Sequence, residues 1–314
     1  MSACLMCGEY EASPCFHGSD RLYHTTTRQF TVVACNRCGL LRLDPTPLPE
    51  ELGRYYPENY WFAPDTSTAS RMEEAYRRLV LRDHVQFVSQ ALAASSARGP
   101  LLDVGCGGGL FLGMMLERGC KVIGLDNSAQ AAGVAWRRQG VPALTADLLR
   151  APLPPASVAG LTMFHVMEHL YDPRAFLAAA RELLKRDGRL VVQVPNADSW
   201  QARLLGSAWN GADIPRHLTD FRSVDLENML RDAGFEVLRR KFFSLRDNPA
   251  GLASSLAPAL DPMARRVRRM AETGGTRLMK DLAYFALVVA SLPFAAAEAA
   301  AGAGSTVMLE ARPI

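Results

Sequence analysis

From about residue 99 the chain alternates short apolar runs with segments whose apolar positions recur every three or four residues. The runs predict strands at Leu101–Val104, Lys121–Leu125, Val141–Thr145, Val158–Phe164 and Leu190–Val194. The recurring pattern predicts helices at Phe111–Glu117, Ala129–Gln139 and Pro173–Lys185, the last ended by Asp187-Gly188. A further helix, capped by Ser223, runs through Leu230, and two closing strands follow at Phe235–Phe243 and Thr306–Ala311. Strands alternating with helices imply a mainly parallel sheet wrapped by helices. Upstream, Met72, Tyr76, Leu79, Val80, Phe87, Val88 and Leu92 mark residues 71–95 as helical. Residues 46–64 are rich in proline and aromatics, and residues 1–45 carry alternating apolar positions (Phe30, Val32, Val33) that suit short strands.

The pattern divides the chain into a module at 1–45, a linker and helical lid at 46–98, a core at 99–244 plus 305–314, and an apolar helical insertion at 245–304. The insertion holds Arg265, Arg266, Arg268 and Arg269, then an apolar run from Leu282 to Ala297 that Pro293 is expected to break. That run leaves two readings, a helix on a membrane surface or a hairpin helix covering the sheet. No internal repeat is present.

Composition narrows the class. The chain has 314 residues, 35 Lys+Arg against 32 Asp+Glu, a net charge of +3 and 49% hydrophobic residues. This excludes wholesale disorder and argues against a dedicated polyanion binder, which needs a concentrated basic face. The seven cysteines say more. Four fall in two Cys-x-x-Cys pairs, Cys4/Cys7 and Cys35/Cys38. Met1 to Tyr10 show neither the basic nor the apolar stretch of a secretory signal, so the expectation is a reducing, cytoplasmic setting in which paired cysteines act as thiolate ligands.

The strongest chemistry lies in Leu101-Leu-Asp-Val-Gly-Cys-Gly-Gly-Gly-Leu110. A strand feeds a turn of Gly105, Gly107, Gly108 and Gly109 and a helix follows, so a ligand can approach the backbone closely. Dinucleotide folds use such a turn too. Here Asp103 precedes the first glycine, where a carboxylate would repel a pyrophosphate but suits a ligand ammonium. The second strand ends at Gly124-Leu-Asp126, and an acid there suits a ribose diol.

With Leu102-Asp-Val-Gly-Cys-Gly-Gly-Gly109, Gly124-Leu-Asp126, Ala146-Asp147, Phe164-His-Val-Met-Glu-His-Leu170 and Gly188-Arg-Leu-Val-Val-Gln-Val-Pro-Asn196 in order, the chain resembles the class I S-adenosylmethionine-dependent methyltransferases. The resemblance implies an α/β fold with a Rossmann-like seven-stranded sheet, mostly parallel with the last strand antiparallel, and helices on both faces. It implies Asp103 and the loop of Gly105, Cys106, Gly107 and Gly109 on the methionine part, Asp126 with Asn127 on the ribose, Asp147 with Leu148 by the adenine, and Phe164 and His165 lining the cofactor.

Cys4, Cys7, Cys35 and Cys38 can supply four thiolates to one tetrahedral structural Zn2+ with no open position for catalysis. Gly8 and Gly39 follow the second cysteine of each pair and allow the knuckle turn. With Cys35-Asn-Arg-Cys-Gly-Leu-Leu-Arg-Leu-Asp-Pro45 and Tyr55-Tyr-Pro-Glu-Asn-Tyr60 ahead of the cofactor domain, the chain resembles bacterial methyltransferases with an N-terminal zinc-binding segment, among them sugar, surface-glycan and secondary-metabolite enzymes.

Methyl transfer is an in-line attack on a sulfonium. The protein aligns the nucleophile and, for a hydroxyl or carbon acid, removes a proton. The groups expected near the methyl follow the fourth and fifth strands: His165, Glu168, His169 and Asp172, and Asp213-Ile-Pro-Arg-His217. His217 is the first candidate base and His169 the second. If their segment is helical, His165, Glu168 and His169 share a face and could hold a divalent ion. Quinone-biosynthesis O-methyltransferases are similar at Glu168-His169-Leu170, with an acid where His165 stands. Tyr60, Trp61, Trp200 and Trp209 could wall the acceptor.

The expected function is transfer of a methyl group to O or C of a small-molecule, sugar or lipid-linked glycan acceptor, with a membrane contact through residues 282–297 as the second reading of the insertion. Two other classes compete: a nucleic-acid methyltransferase reading RNA through the zinc module, and a non-catalytic zinc-stabilised binding protein. The near-neutral charge and Phe164-His-Val-Met in place of an Asn/Asp-Pro-Pro-aromatic motif oppose the former. The intact glycine loop and its two acids oppose the latter.

Overall fold

The computed structural model describes residues 2–56 and 68–314. The N-terminal part forms strands β1 (Ala12–Gly18), β2 (Phe30–Cys35) and β3 (Leu41–Asp44), followed by a single-turn helix α1 (Pro49–Leu52). Two helices come next, α2 (Thr68–Val80) and α3 (Arg82–Ala93). The core then runs β4 (Leu101–Val104), α4 (Leu110–Leu116), β5 (Val122–Asp126), α5 (Ala129–Gln139), β6 (Ala143–Thr145), β7 (Val158–Phe164), α6 (Pro173–Leu183) and β8 (Leu184–Pro195). After α7 (Trp200–Leu205), β9 (Thr219–Asp220), α8 (Ser223–Asp232) and β10 (Phe235–Lys241), the insertion contributes α9 (Asn248–Leu256), α10 (Pro262–Val267) and α11 (Gly274–Ala300) before β11 (Thr306–Pro313).

The main sheet has seven strands in the order β10-β11-β8-β7-β4-β5-β6. Strands β4 to β8 are parallel, and β11 runs antiparallel between β8 and β10. Helices cover both faces, because strands buried on both sides need apolar partners on each. On one face Leu177 and Ala180 of α6 and Leu226 and Leu230 of α8 pack on Leu102, Leu161 and Val192. On the other, Val85 and Val88 of α3, Leu112 of α4 and Ala135 of α5 pack on Leu101 and Val191. The chain reverses its direction of growth between β4 and β7, which opens a crevice at their carboxyl ends.

A second, antiparallel sheet has the order β1-β2-β3-β9, so β9 from the loop after β8 completes the sheet begun by the N-terminal strands. Cys4, Cys35 and Leu40 lie in the same apolar cluster as the main sheet.

Local signals placed most elements, with three differences. Helix α6 ends at Leu183 rather than Lys185, and β8 starts at Leu184, so Asp187-Gly188 lies within the strand instead of ending the helix. Ser223 is the first residue of α8 rather than its cap. Arg222 precedes the helix, and the Asp225 carboxylate accepts from its backbone N–H at 3.1 Å. Pro293 does not break the apolar run but sits inside α11, which is long and apolar enough to cross a membrane by length and composition. One face of α11 packs inward through Val288, Ser291, Ala295 and Glu298.

Candidate active site and thiol centre

The glycine loop connects β4 to α4 across the crevice. Gly105, Gly107 and Gly109 have φ of +73°, +52° and +75°. A Cβ on Gly109 would stand 2.7 Å from the Ala135 Cβ, and one on Gly105 2.9 Å from Val166 Cγ2, so glycine is required here by space as well as by backbone angle. The loop is tied to the end of β5: Gly105 and Cys106 donate to the Leu125 carbonyl at 2.7 and 3.0 Å, and Gly107 donates to Asp126 Oδ2 at 2.9 Å. The other Asp126 oxygen accepts from the Ser128 N–H at 2.8 Å. Cys106 turns its sulfur toward β5, where a Cβ on Gly124 would lie 2.7 Å from it, so this residue offers a ligand its backbone.

Asp103 is buried and accepts from the Thr162 hydroxyl at 2.6 Å. Burial pushes its carboxyl up to about 7, the Thr162 hydrogen bond opposing and the Asp126 charge adding to the rise. Such an acid gains most from a cationic ligand group. Asn127, Asp147, Leu148, Phe164 and His165 line the same cleft, whose volume is about 1070 Å³. Asp147 caps a short 3-10 turn by accepting from the Leu149 N–H at 2.8 Å. The Phe164 ring stands edge-on to Phe111 and to His84, each at 5.1 Å.

The residues after β7 take two directions. His165, with φ of +55°, sits between two acids, Nδ1 3.2 Å from Glu168 Oε1 and Nε2 3.5 Å from Asp247 Oδ2. Burial opposes its charge, but Asp247 and Glu168 prevail and raise it to about 9. His165 therefore does not join His169 on a helical face as expected from the spacing. The helical turn is a 3-10 turn that begins only at Met167, and the backbone of His165 turns its ring away toward the insertion. His169 instead meets His217, ring centroids 4.6 Å apart. His169 Nδ1 lies 3.0 Å from both the Arg216 carbonyl and the Tyr56 hydroxyl, and His217 Nδ1 2.7 Å from the Gly211 carbonyl. Burial, then the neighbouring His169, push His217 down to about 4, so it is neutral over the physiological range. Glu168, His169 and His217 bring three ligand atoms within 4.8 Å of one another, a group that could hold a metal ion. Asp172, also considered near the methyl, caps α6 by accepting from the Ala175 N–H at 2.9 Å.

The His217 loop is held by Arg216 and Asp213 of its own stretch and by Asp20, which the sequence did not single out. The Arg216 guanidinium is fully buried. It donates to both oxygens of Asp20 at 2.9 Å, to both oxygens of Asp213 at 2.9 and 2.7 Å, and to the Tyr55 carbonyl at 3.0 Å. Asp20 comes from the N-terminal module, 196 positions away, so no local pattern could reveal it. Asp247 was likewise missed. Its only signal was a helix start at Asn248-Pro249. Of the aromatic wall, Trp209 is buried and lines the cleft, and Trp200 packs on Phe294 of α11. Tyr60 and Trp61 lie outside the described residues.

In the N-terminal module, Cys4 and Cys38 sulfurs lie 3.5 Å apart, as do those of Cys7 and Cys35, and all four thiols are free of disulfides. A tetrahedral zinc with sulfurs at about 2.3 Å requires sulfur separations slightly under 4 Å, so the four residues fit the ion. Each pair closes a knuckle: Gly8 and Gly39, at φ of +74° and +77°, donate to the Cys4 and Cys35 carbonyls at 2.9 and 2.8 Å. Together the four form one cluster of ligand atoms. Arg222 Nη2 donates to the Cys38 carbonyl at 2.8 Å, and Arg174 to the Leu5 and Met6 carbonyls at 3.0 and 2.9 Å, which anchors both knuckles to the core.

Comparison with known proteins agrees with this geometry. The profile of a family described as methyltransferase domain matches residues 71–240. A probable S-adenosylmethionine-dependent methyltransferase of Mycolicibacterium smegmatis is 31% identical over 199 residues, covering 62% of this chain and 67% of the relative. A ubiquinone biosynthesis O-methyltransferase of Cereibacter sphaeroides is 31% identical over 168 residues, covering 50% and 67%. Among solved structures, geranyl diphosphate C-methyltransferase from Streptomyces coelicolor A3(2) shares the fold at a TM-score of 0.52 and 16% identity, covering 86% of this chain and 100% of that one. A methyltransferase from Archaeoglobus fulgidus does so at 0.50 and 17%, covering 78% and 100%. The chain therefore belongs to the class I S-adenosylmethionine-dependent methyltransferases.

Proposed function

We propose that the protein transfers the methyl group of S-adenosylmethionine to an oxygen or carbon of a small-molecule, sugar or lipid-linked glycan acceptor, with His217 and His169 facing that acceptor. One observation carries the reading: two imidazoles in van der Waals reach, each with Nδ1 against a backbone carbonyl, line the cleft that the glycine loop also lines. A carbonyl at Nδ1 fixes the proton there and leaves the Nε2 lone pair for the cleft.

In this reading Asp103 takes the methionine ammonium, Asp126 and Asn127 the ribose, and Asp147 with Leu148 the adenine. Phe164 gives the cofactor an apolar edge. A lone pair of an acceptor oxygen, or the pair freed from a C–H bond of an acceptor carbon, forms the new bond to the methyl carbon, the carbon–sulfur bond breaks with its pair going to sulfur, and the acceptor proton passes to His217 or His169. His217 is a weak base at its lowered value, and Asp213, 3.9 Å from its Nε2, and Glu168 steady the imidazolium once formed.

Replacing both His169 and His217 by alanine is expected to lower kcat by about a hundredfold or more, the usual worth of a positioned base, with cofactor affinity little changed. The measurement is transfer of labelled methyl to a panel of activated sugars, lipid-linked glycans and phenols. Normal turnover by the double variant would sink the assignment. Asp126→Ala is expected to weaken cofactor binding by about ten- to a hundredfold, since it removes charge-assisted bonds of roughly 1.5–3 kcal/mol. Calorimetry with S-adenosylmethionine reads this directly, and an unchanged affinity removes Asp126 from the site.

A second reading has one specific support. Glu168 Oε2 is buried with no hydrogen-bond partner among the described residues, and a divalent ion held by Glu168, His169 and His217 would satisfy it. Mn2+ binding that Glu168→Gln abolishes, with the thiol centre intact, would favour that reading over the base.

A further inference from the structure

Helix α11 presents two unlike faces. Inward, Glu298 accepts from the Gln201 backbone and side chain at 3.0 and 2.8 Å, and the Tyr284 hydroxyl lies 2.8 Å from Ser254 Oγ. Tyr284, Ser254 and Ala250 also line the cleft. Outward, Leu278, Leu282, Phe285 and Val289 are 60%, 60%, 54% and 47% exposed. From Leu282 to Ala297 every outward residue is Leu, Ala, Phe, Val or Pro. That is an unbroken apolar stripe about 24 Å long at 1.5 Å per residue.

We infer that this face of α11 rests on an anionic lipid surface. A stripe of this length with no donor or acceptor suits acyl chains. Protein interfaces carry hydrogen bonds every 100–200 Å² or so and a polar rim, which this face lacks. Charge points the same way. Residues 261–281, just before the stripe, hold six cations (Arg265, Arg266, Arg268, Arg269, Arg277 and Lys280) against Asp261, Glu272 and Asp281; Arg265 is buried and paired with Glu272 and Asp281, and the other five are half-buried or exposed. The excess of three equals the net charge of the whole chain, +3. A cationic end beside an apolar face is the arrangement of helices that lie in the headgroup plane. The helix lies on the surface rather than crossing it, because Glu298 and its partner Gln201 are fully buried in the fold and cannot be drawn into acyl chains. Because Tyr284 lines the cleft from the same helix, a lipid-linked acceptor held in the bilayer would reach the cleft along α11. Only that last step depends on the proposed acceptor class.

The test is flotation of the full chain with vesicles of phosphatidylcholine, with and without phosphatidylglycerol. It needs no turnover, so its failure is distinct from failure of the methyl-transfer reading. The protein is expected to float with the anionic vesicles, less so as salt is raised, and the triple variant L282E/F285E/V289E to lose at least about tenfold of that binding. Its melting temperature and cofactor affinity should stay at wild-type values, because the three side chains point away from the fold. Should the triple variant melt early, L278Q/M279Q, further along the same face, is expected to give a smaller loss. The inference is overturned if the wild type ignores anionic vesicles, if the stable variants bind as well as it does, or if light scattering shows a dimer that the triple variant dissolves, which would make the face a self-interface.

Discussion

Serine at Cys35 is expected to cost the protein several kcal/mol of stability and to loosen the core, not only the N-terminal knuckles. Structural zinc binding is folding free energy, of order 10–16 kcal/mol in isolated zinc-finger peptides. A whole domain's net stability is only about 5–15 kcal/mol. Here two of the four clustered thiols are part of the main interior: Cys4 and Cys35 pack in one apolar cluster with Leu102, Val192, Leu226 and Leu230. Opening the knuckles releases Arg222 from the Cys38 carbonyl and Arg174 from the Leu5 and Met6 carbonyls, and exposes one side of α6 and α8. At about 2–4 °C per kcal/mol for a domain of this size, Cys35→Ser should lower the melting temperature by about 10 °C or more. Strong chelators should do the same to the wild type. Zinc analysis of the purified protein should give about one ion per chain. An absence of zinc together with an unchanged melting curve for Cys35→Ser would overturn the thiol assignment.

The second large effect is expected at Arg216. Its guanidinium is fully buried with two bidentate carboxylates and stacks over the Tyr23 ring at 4.5 Å. Arg216→Met leaves Asp20 and Asp213 charged and buried without their cation, and removing one partner of a buried pair costs about 3–5 kcal/mol. Urea denaturation should show this loss, and turnover should fall as well, because the same loop carries His217.

The pair also predicts an acid response. Burial works against the Asp20 charge, but the hydrogen bonds and charge of Arg216 hold its carboxyl at about 2, below the ordinary 3.8. A depressed folded value contributes stability that is complete above about pH 4 and is lost as pH falls toward 2. In Arg216→Met the sign reverses: the orphaned carboxyl prefers its proton, so the variant should recover stability on mild acidification while the wild type does not. A variant whose urea midpoint and pH profile match the wild type would show that the network contributes nothing.

The chemistry that the sequence made visible is local chemistry. The glycine loop, the acids Asp103 and Asp126, and both Cys-x-x-Cys pairs each occupy a few neighbouring residues whose backbone must turn one way, and they stand where they were expected. The strands and helices of the core were equally readable, because strands buried on both faces read as short continuous apolar runs, while each helix buries one face whose pattern repeats over a turn or two. His165 lines the cleft, but the condition for its sharing a helical face with His169 is not met. Its spacing to Glu168 and His169 is a helical spacing, but the backbone turns at His165 itself, and Asp247, far along the chain, takes its ring.

The sequence by itself therefore determined the class of fold, the turn of the glycine loop and the gathering of the four thiols, since short-range backbone geometry and burial suffice for these. Tertiary structure alone decided the rest. It brought His217 against His169, joined Asp20 to Arg216 across 196 positions, and set β9 on the edge of the N-terminal sheet. It also left one face of α11 bare. These pairings depend on which surfaces meet once the layers pack. A carboxylate such as Asp20 carries no sign of its distant partner until burial of both makes either one untenable alone.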